Sequence, residues 1–285
     1  MQKRDVLSSP KLLELKTKRR NTFIRKIAFF VCGIFIVLGA LAYLSSLSYI
    51  SIKNIEVAGN KVVESKSIQR VAEVQIAGKY LWLFSRKNVL LYPKKKIESA
   101  LASDFKRLTD IELKIKDSNV LEISVSERTP VFSWCGTELP ADVQVEKCYF
   151  LDNEGYIFDE APYFSGQVYF KFYGPYEGDA PAGSYFRKEK FKHLVEFKEA
   201  LDTFGLKPKA LFIDDAGSAK VLLPKGKSAY KDPEILFKID TDLGNIAENL
   251  KAALDAEPLK SKIKNFYSTL LYIDLRFDNK VYYKF

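Results

Sequence analysis

The sequence predicts an α+β fold. It begins with one N-terminal transmembrane helix, continues with a small βααββ domain, and ends with a larger, mainly antiparallel β domain that contains two helices. Three observations predict this fold. Residues 27–50 are apolar and uncharged over a length that can cross a membrane. Apolar and polar residues then alternate over 111–126, which is typical of half-buried strands. Further short apolar runs, separated by turn residues and by two helical stretches, continue to the C-terminus.

The first element is the predicted transmembrane helix, Ile27 to Ile50. Its 24 residues would extend about 36 Å as a helix, which exceeds the ~30 Å of a bilayer core. A buried core helix that is apolar on every side is rare. A cleaved signal peptide is the stronger alternative, because Ala40-Leu41-Ala42 resembles a cleavage site. The apolar run continues beyond that site, so we expect a retained membrane anchor.

Charge predicts the orientation of this anchor. Residues 1–26 contain nine Lys or Arg and two acidic residues, which supply +7 of the chain's formal +9. Positive segments stay on the cytoplasmic side, so the N-terminal tail is expected inside and residues 51–285 outside the inner (plasma) membrane. The high pI then reflects topology and requires no nucleic-acid partner.

The three cysteines give less information about topology and chemistry than the charge does. Cys32 lies in the anchor, while Cys135 and Cys148 lie in the external part, where a disulfide can persist. Each of the latter two borders a strand-like run, and both a disulfide and two unpaired cysteines remain open. No C-x-x-C spacing indicates a metal or redox motif.

The small βααββ domain is expected over residues 51–128. A short strand covers 52–57, and two helices follow, one beginning near Ser65 and one near Pro93. Strands at 111–115 and 121–126 flank a turn, and their alternation predicts one buried and one wet face.

The larger β domain is expected over residues 129–285. Its expected helices are Lys188–Phe204 and Leu243–Ala256. Its expected strands are Val131–Cys135, Cys148–Asp152, Val168–Tyr173, Ala210–Asp214, Lys220–Leu223, Ile235–Ile239, Leu270–Phe277 and Lys280–Lys284.

Four local patterns occur in a fixed order behind the anchor. They are Ile52–Asn60 as a first strand and turn, Glu127-Arg128-Thr129-Pro130-Val131 with Trp134, Leu151-Asp152 with Gly155 and Phe158, and Ile273–Phe277. In this order the chain resembles the bacterial cell division family FtsQ, called DivIB in some lineages, over residues 20–285. The βααββ domain resembles the POTRA domain of that family. The stretch between Cys135 and Cys148 and the Gly-, Pro- and Tyr-rich segment 173–186 depart from the family pattern.

The resemblance implies a non-enzymatic bitopic protein at the division septum. Such a protein scaffolds the divisome, binds FtsB-like and FtsL-like partners through its external part, and helps to control septal peptidoglycan synthesis. Other divisome proteins are expected at the POTRA domain. The resemblance places partner binding on the last strand, which the hairpin signal Asp278-Asn279 introduces. The expected partner-binding residues are Arg276, Phe277, Asn279, Lys280, Tyr282 and Tyr283.

The sequence offers few groups for catalysis. The single histidine, His193, lies in a Lys-rich helical stretch and is expected in solvent, which leaves serine, cysteine and zinc chemistry without an imidazole. Carboxylates at strand ends and turns are Asp152, Asp159, Glu160, Asp214, Asp215, Asp274 and Asp278. Their positions favour capping of backbone donors over glycosidic chemistry. We therefore expect no catalytic residue, metal, cofactor or small-molecule substrate.

A basic run, Lys94-Lys95-Lys96 with Arg86 and Lys87, allows two interpretations. A solvated helix face is the simpler one, and contact with lipid headgroups or an acidic partner is the other. Two other functions also compete with the division hypothesis. One is a membrane-anchored cell-wall enzyme, and the other is an envelope scaffold unrelated to division.

Overall fold

A computed structural model describes residues 10–140, 146–226, 231–277 and 280–285. The fold is α+β, with an apolar N-terminal helix and a larger, mainly β part that contains several helices. The chain divides into two compact units, residues 1–126 and 127–285. This boundary lies two residues before the one expected from the sequence.

The N-terminal helix α1 runs from Pro10 to Ser45. Within the described residues, its part Lys16–Ser45 is the one helical stretch that is long and apolar enough to cross a membrane. The helix ends five residues before the expected Ile50, whereas the expected first membrane residue, Ile27, lies inside the helix. The helix begins inside the basic tail and stops earlier, because the hydroxyls of Ser45 and Ser46 both donate to the Ala42 carbonyl and the backbone then becomes extended.

The first unit contains two further helices around a small sheet. Its elements after α1 are β1 Asn54–Ala58, α2 Ser65–Ile76, β2 Lys79–Tyr80, β3 Phe84–Ser85, α3 Lys94–Asp104, β4 Leu108–Lys116 and β5 Val120–Glu127. The sheet order is β1-β5-β4, with β1 parallel to β5. Strands β4 and β5 are joined by only three residues, so they must run antiparallel. The hairpin β2–β3 lies between the helices and was absent from the expected βααββ order.

The core of the first unit joins both helices to the sheet. Ile68 of α2, Leu101 of α3 and Ile123 of β5 are fully buried and belong to one apolar cluster. In α2 the buried positions recur every four residues, as a helix packed along one face requires. The alternation in β5 buries Leu121 with Ile123, which confirms that expected strand.

The second unit is built on one large sheet. Its strands are β6 Phe132–Trp134, β7 Tyr149–Leu151, β8 Ile157–Glu160, β9 Lys171–Tyr173, β10 Ala210–Ile213, β11 Ser218–Leu222, β12 Glu234–Lys238, β13 Tyr272–Phe277 and β14 Lys280–Lys284. Among the described residues these nine strands have the order β14-β13-β12-β11-β10-β9-β6-β7-β8. Three of the pairings are parallel and five antiparallel, so the sheet is mixed.

The helices of the second unit are α4 Lys188–Thr203, α5 Leu243–Asp255 and α6 Leu259–Phe266. The first two match the expected helices within one residue. Helix α6 makes the expected number of two wrong. It is short and Lys-rich, and Leu259 is its one fully buried residue, so its sequence carries little apolar periodicity.

One face of the large sheet packs on the helices. Phe172 of β9, Phe191 of α4 and Phe237 of β12 lie in its core and are almost completely buried. Alternate residues of the same strands point to the opposite face. A smaller cluster there contains Cys135, Tyr173 and Ala210.

Candidate interaction site

Strand β14 forms one edge of the large sheet. It is last in the strand order, and its neighbour β13 pairs with it antiparallel. The Leu271 N–H donates to the Lys284 carbonyl over 2.8 Å, so the backbone groups of Lys284 point towards β13. Because this direction alternates along a strand, the backbone groups of Val281 and Tyr283 point away from the sheet. No strand of the described part of the chain pairs with that side.

Strand β8 forms the other edge and is covered at its start. The Ile157 N–H donates to the Ser184 carbonyl over 2.9 Å, and the Ile157 carbonyl accepts from the Gly183 N–H over 2.8 Å. The Phe186 N–H continues this contact to the Gly155 carbonyl at 2.9 Å. The segment before α4 therefore occupies the hydrogen-bonding positions that a partner strand would need at this edge.

Three of the expected partner-binding residues are exposed at the free edge. The side chains of Phe277 and Tyr282 are 52% and 48% exposed, and their rings meet edge to face with centroids 5.2 Å apart. Lys280 is exposed beside them. Half-exposed aromatic rings with a neighbouring cation are typical of an anchor point for a protein partner.

Arg276 has a partner inside its own strand. Its Nε and Nη2 donate to the two carboxylate oxygens of Asp274 over 2.9 and 2.6 Å. Asp274 is buried, and the hydrogen bonds from Arg276 hold the pKa of that carboxyl below its usual value. Arg276 therefore neutralises a buried carboxylate, and pairing with a partner's carboxylate would be an additional role for its exposed side.

The two remaining expected partner-binding residues are Tyr283 and Asn279. Tyr283 is half-buried and packs on the helix side of the sheet, with its ring 5.9 Å from that of Phe285 and below the ammonium group of Lys262. Its ring is therefore part of the fold, whereas its backbone lies on the free edge. Asn279 lies outside the described residues.

A cavity of about 240 Å³ lies beside the free edge, between the start of α5 and the β13–β14 hairpin. Asn245, Ile246, Leu275 and Val281 line it. Asp242 closes the helix terminus there by accepting from two backbone N–H groups of α5. No local sequence pattern indicates this cavity, because it arises from the packing of elements that are distant in the chain.

Three of the candidate catalytic groups make contacts within the fold, and Asp278 lies outside the described residues. Asp152 forms an ion pair with Arg128 at 2.6 Å and accepts from the backbone N–H groups of Glu154 and Tyr156. Asp214 accepts from the Ser218 N–H at 2.8 Å. The imidazole of His193 is exposed, 3.2 Å from a carboxylate oxygen of Glu196.

A second cavity, of about 600 Å³, lies on the sheet face opposite the helices. Cys135 and Cys148 form a disulfide next to it. The Glu146 carboxylate contacts Cys148 and also accepts from Lys171 at 2.7 Å and from the Tyr173 hydroxyl at 2.9 Å. Burial and this carboxylate raise the pKa of Tyr173. Because the sulfurs are bonded to each other and the carboxylate is ion-paired, this cluster serves to hold the sheet face together.

No family model matches the chain, and no curated protein matches it. The FtsQ-like interpretation therefore depends on the sequence patterns given above and on how the geometry of the free edge suits it.

Proposed function

We propose that the chain is a non-enzymatic, bitopic cell division protein of the FtsQ/DivIB type. It scaffolds the divisome at the septum by binding FtsB-like and FtsL-like partners and so helps to control septal peptidoglycan synthesis. The observation that carries the proposal is the contrast between the two edges of the large sheet. One edge is covered by the chain, and the other, β14, pairs on its outer side with no described strand.

The first support for the proposal is the N-terminal helix. It is long and apolar enough to cross a membrane, and large side chains such as Phe29, Phe30 and Ile36 are exposed along it. Nine basic residues precede the apolar part and favour a cytoplasmic N-terminus. In this topology residues 51–285 lie outside the inner membrane, within reach of other bitopic proteins.

The free edge offers a partner two kinds of contact. The outward backbone groups of Val281 and Tyr283 can extend the sheet by one strand, which supplies affinity through main-chain hydrogen bonds. Phe277, Tyr282 and the exposed lysines at 280 and 284 then supply specificity. The side chains therefore suit a partner strand that carries apolar and acidic residues.

The location of the protein in dividing cells tests the division role. A fluorescent fusion of the full chain should concentrate at midcell when the septum forms. An even distribution around the envelope would instead support the general scaffold, and the proposed role in division would be wrong.

Partner capture tests the proposed site. A chain truncated after Asp278 lacks β14 and should no longer co-purify with the FtsB-like protein, while the first unit keeps its helical circular dichroism. Unchanged co-purification would show that the partner does not bind at β14. Digestion of purified peptidoglycan by the full chain, assayed as released soluble fragments, would contradict the non-enzymatic assignment.

A further inference from the structure

The tip of the β2–β3 hairpin exposes two large apolar side chains. Leu81 is 86% and Trp82 is 92% exposed. The Leu83 N–H donates to the Tyr80 carbonyl over 2.9 Å and closes a tight turn around them. Both central residues have positive φ, 46° for Leu81 and 64° for Trp82, as in a type I′ turn.

These residue types are unfavourable in this turn. A type I′ turn favours Asn-Gly, because left-handed backbone is unfavourable for an ordinary L-residue. Leu81 and Trp82 therefore combine an unfavourable backbone conformation with exposure of apolar surface to water. A backbone outlier of this kind is a reason to look for a functional contact outside the fold.

The hairpin is attached to the end of α1. The Ser85 N–H donates to the Ser45 hydroxyl over 3.3 Å, and the buried side chain of Asn88 donates to the Ser45 carbonyl over 3.0 Å. Just after the helix, the Ile50 carbonyl accepts from the Val89 N–H at 3.0 Å. The hairpin and the residues after it are thus fixed to the last turn of the helix.

The length of α1 sets the depth of this attachment. Lys26 is the last charged residue before the apolar part, and residues 27–45 complete the helix. These residues extend about 28 Å, close to the ~30 Å thickness of a bilayer core. In the topology proposed above, Ser45 is placed at the outer boundary of the hydrocarbon, and the hairpin bonded to it at headgroup level.

The charge around the hairpin suits the same location. Residues 77–96 contain six Lys or Arg and no acidic residue. Residues 51–285 as a whole have a net charge of +2, so without this segment they carry −4. Leu90, in the same segment, is 85% exposed. Apolar side chains beside clustered cations match the interfacial layer of a membrane that contains anionic lipid.

We propose that Leu81, Trp82 and Leu90 insert into the outer interfacial layer of the membrane that α1 crosses, and that the neighbouring cations contact lipid headgroups. Tryptophan is enriched at this depth because its ring is apolar and its N–H is polar. The first unit is thereby held against the bilayer at a second point besides α1. The inference rests on the membrane anchoring in the proposed function and is independent of the free sheet edge.

The tryptophan content of the chain allows a direct test. The chain has two tryptophans, and Trp134 is buried with its indole N–H donating to the Gly174 carbonyl at 2.9 Å. We expect lipids brominated near the headgroup to quench the emission of the full chain in phosphatidylcholine–phosphatidylglycerol vesicles. The matched variant Trp82→Phe should lose most of this quenching.

Two outcomes distinguish the hairpin contact with lipid from membrane anchoring by α1. If the full chain floats with the vesicles but Trp82→Phe leaves the quenching unchanged, the hairpin contact is wrong and the anchor stands. If the chain does not float, the anchor and the hairpin contact are both wrong. Because the vesicles contain no other protein, a hairpin that binds a protein partner would also leave Trp82 unquenched, and that result too would overturn the proposal.

A second variant distinguishes lipid contact from a purely structural turn. The pair Leu81→Asn and Trp82→Gly supplies the residues that a type I′ turn prefers. If lipid protects the hairpin, its backbone amides should exchange hydrogen faster in this variant than in the parent in vesicles. If the turn is only structural, the stronger turn should slow their exchange, and the inference would be wrong.

Discussion

The two edges of the large sheet in the second unit differ in whether another segment of the described chain covers them. At the β8 edge, the chain itself supplies a covering segment that bonds to Ile157 on both its N–H and its carbonyl. At the β14 edge, no described segment occupies the outward positions, and the exposed side chains are lysines and aromatic rings. A protein must protect a sheet edge from unwanted pairing, and this one protects the two edges by different means.

The difference indicates which edge is available for binding. The covering segment belongs to the Gly-, Pro- and Tyr-rich stretch 173–186, which departs from the pattern of the FtsQ family. Its backbone contacts give this stretch a structural role. The exposed lysines 280 and 284 at the other edge repel a second copy of the same strand, yet leave its backbone open to an acidic partner.

The largest effect on partner binding is expected from Val281→Pro. Proline removes the outward N–H of Val281 and places a ring where a partner strand would dock, whereas an edge strand tolerates proline at such a position. We expect capture of the FtsB-like protein to fall at least tenfold, which corresponds to about 1.4 kcal/mol or more. Quantitative co-purification from membranes measures this loss of capture.

Val281→Ala is the matched control for that variant. It shortens the same half-buried side chain but keeps the N–H. Capture should therefore stay close to that of the parent chain. If both variants lose capture equally, packing of the side chain is responsible, and the edge-pairing mechanism would be refuted.

The covered edge should be sensitive to Gly155→Ala. Gly155 has φ of +80°, and a Cβ added there would lie 2.6 Å from the ring of Phe191 and 3.0 Å from the Phe186 carbonyl. Left-handed backbone and overpacking together should lower the free energy of unfolding by about 2–5 kcal/mol. Urea unfolding followed by the emission of Trp134, in a Trp82→Phe background, measures it for the second unit.

Gly217→Ala is a useful comparison, because Gly217 also has φ of +80° but its nearest neighbour would be 3.3 Å from the added Cβ. We expect a smaller loss there, since the backbone cost remains and the severe contact is absent. Equal losses in the two variants would show that packing against the covered edge contributes nothing.

Elements with a local signal could be predicted from the sequence. Helices α4 and α5 have apolar residues at helical spacing, and β5 alternates, so all three were placed within a residue or two. The β2–β3 hairpin was missed because its turn contains Leu81 and Trp82 in place of glycine or asparagine. Helix α6 was missed because its lysines obscure the pattern of buried residues.

The candidate site could be predicted only in part. The hairpin signal before Lys280 indicated the last strand, and the free position of that strand in the sheet agrees with it. Strand alternation places Asp274 and Arg276 on one face, but the ion pair between them was not expected, because the sequence pattern assigned Arg276 to a partner's carboxylate. The cover on β8 joins segments that are some thirty residues apart, and no local pattern encodes such a contact.

The next effect concerns the disulfide between Cys135 and Cys148, which closes the hairpin β6–β7 close to the covered edge. Replacing both cysteines by serine should lower the free energy of unfolding of the second unit by about 3 kcal/mol, the value for a loop of this length. The same urea titration measures it. Capture at the β14 edge should persist in conditions where the sheet remains folded, and a loss of capture there would show that the two edges are coupled.

The smallest effect is expected at the free edge itself, from Arg276→Met. The variant keeps an apolar stem of similar length but leaves the buried Asp274 without its two side-chain hydrogen bonds. Because the Arg276 side chain is 40% exposed, water replaces part of the lost interaction. We therefore expect a loss of about 1–2 kcal/mol at neutral pH.

The pH dependence of this loss identifies its cause. Arg276 lowers the pKa of Asp274 in the folded chain, so the stabilisation is present above the unfolded pKa of about 4 and disappears as the pH falls through the lower, folded value. The difference between parent and variant should therefore be largest near pH 7 and shrink in acid. Asp274→Asn in both backgrounds is the control, since it removes the charge and should make the difference independent of pH. A difference that stays constant from neutral to acid pH in the unmodified Asp274 background would show that Arg276 acts through the packing of its stem, and its guanidinium would then be available to a partner's carboxylate.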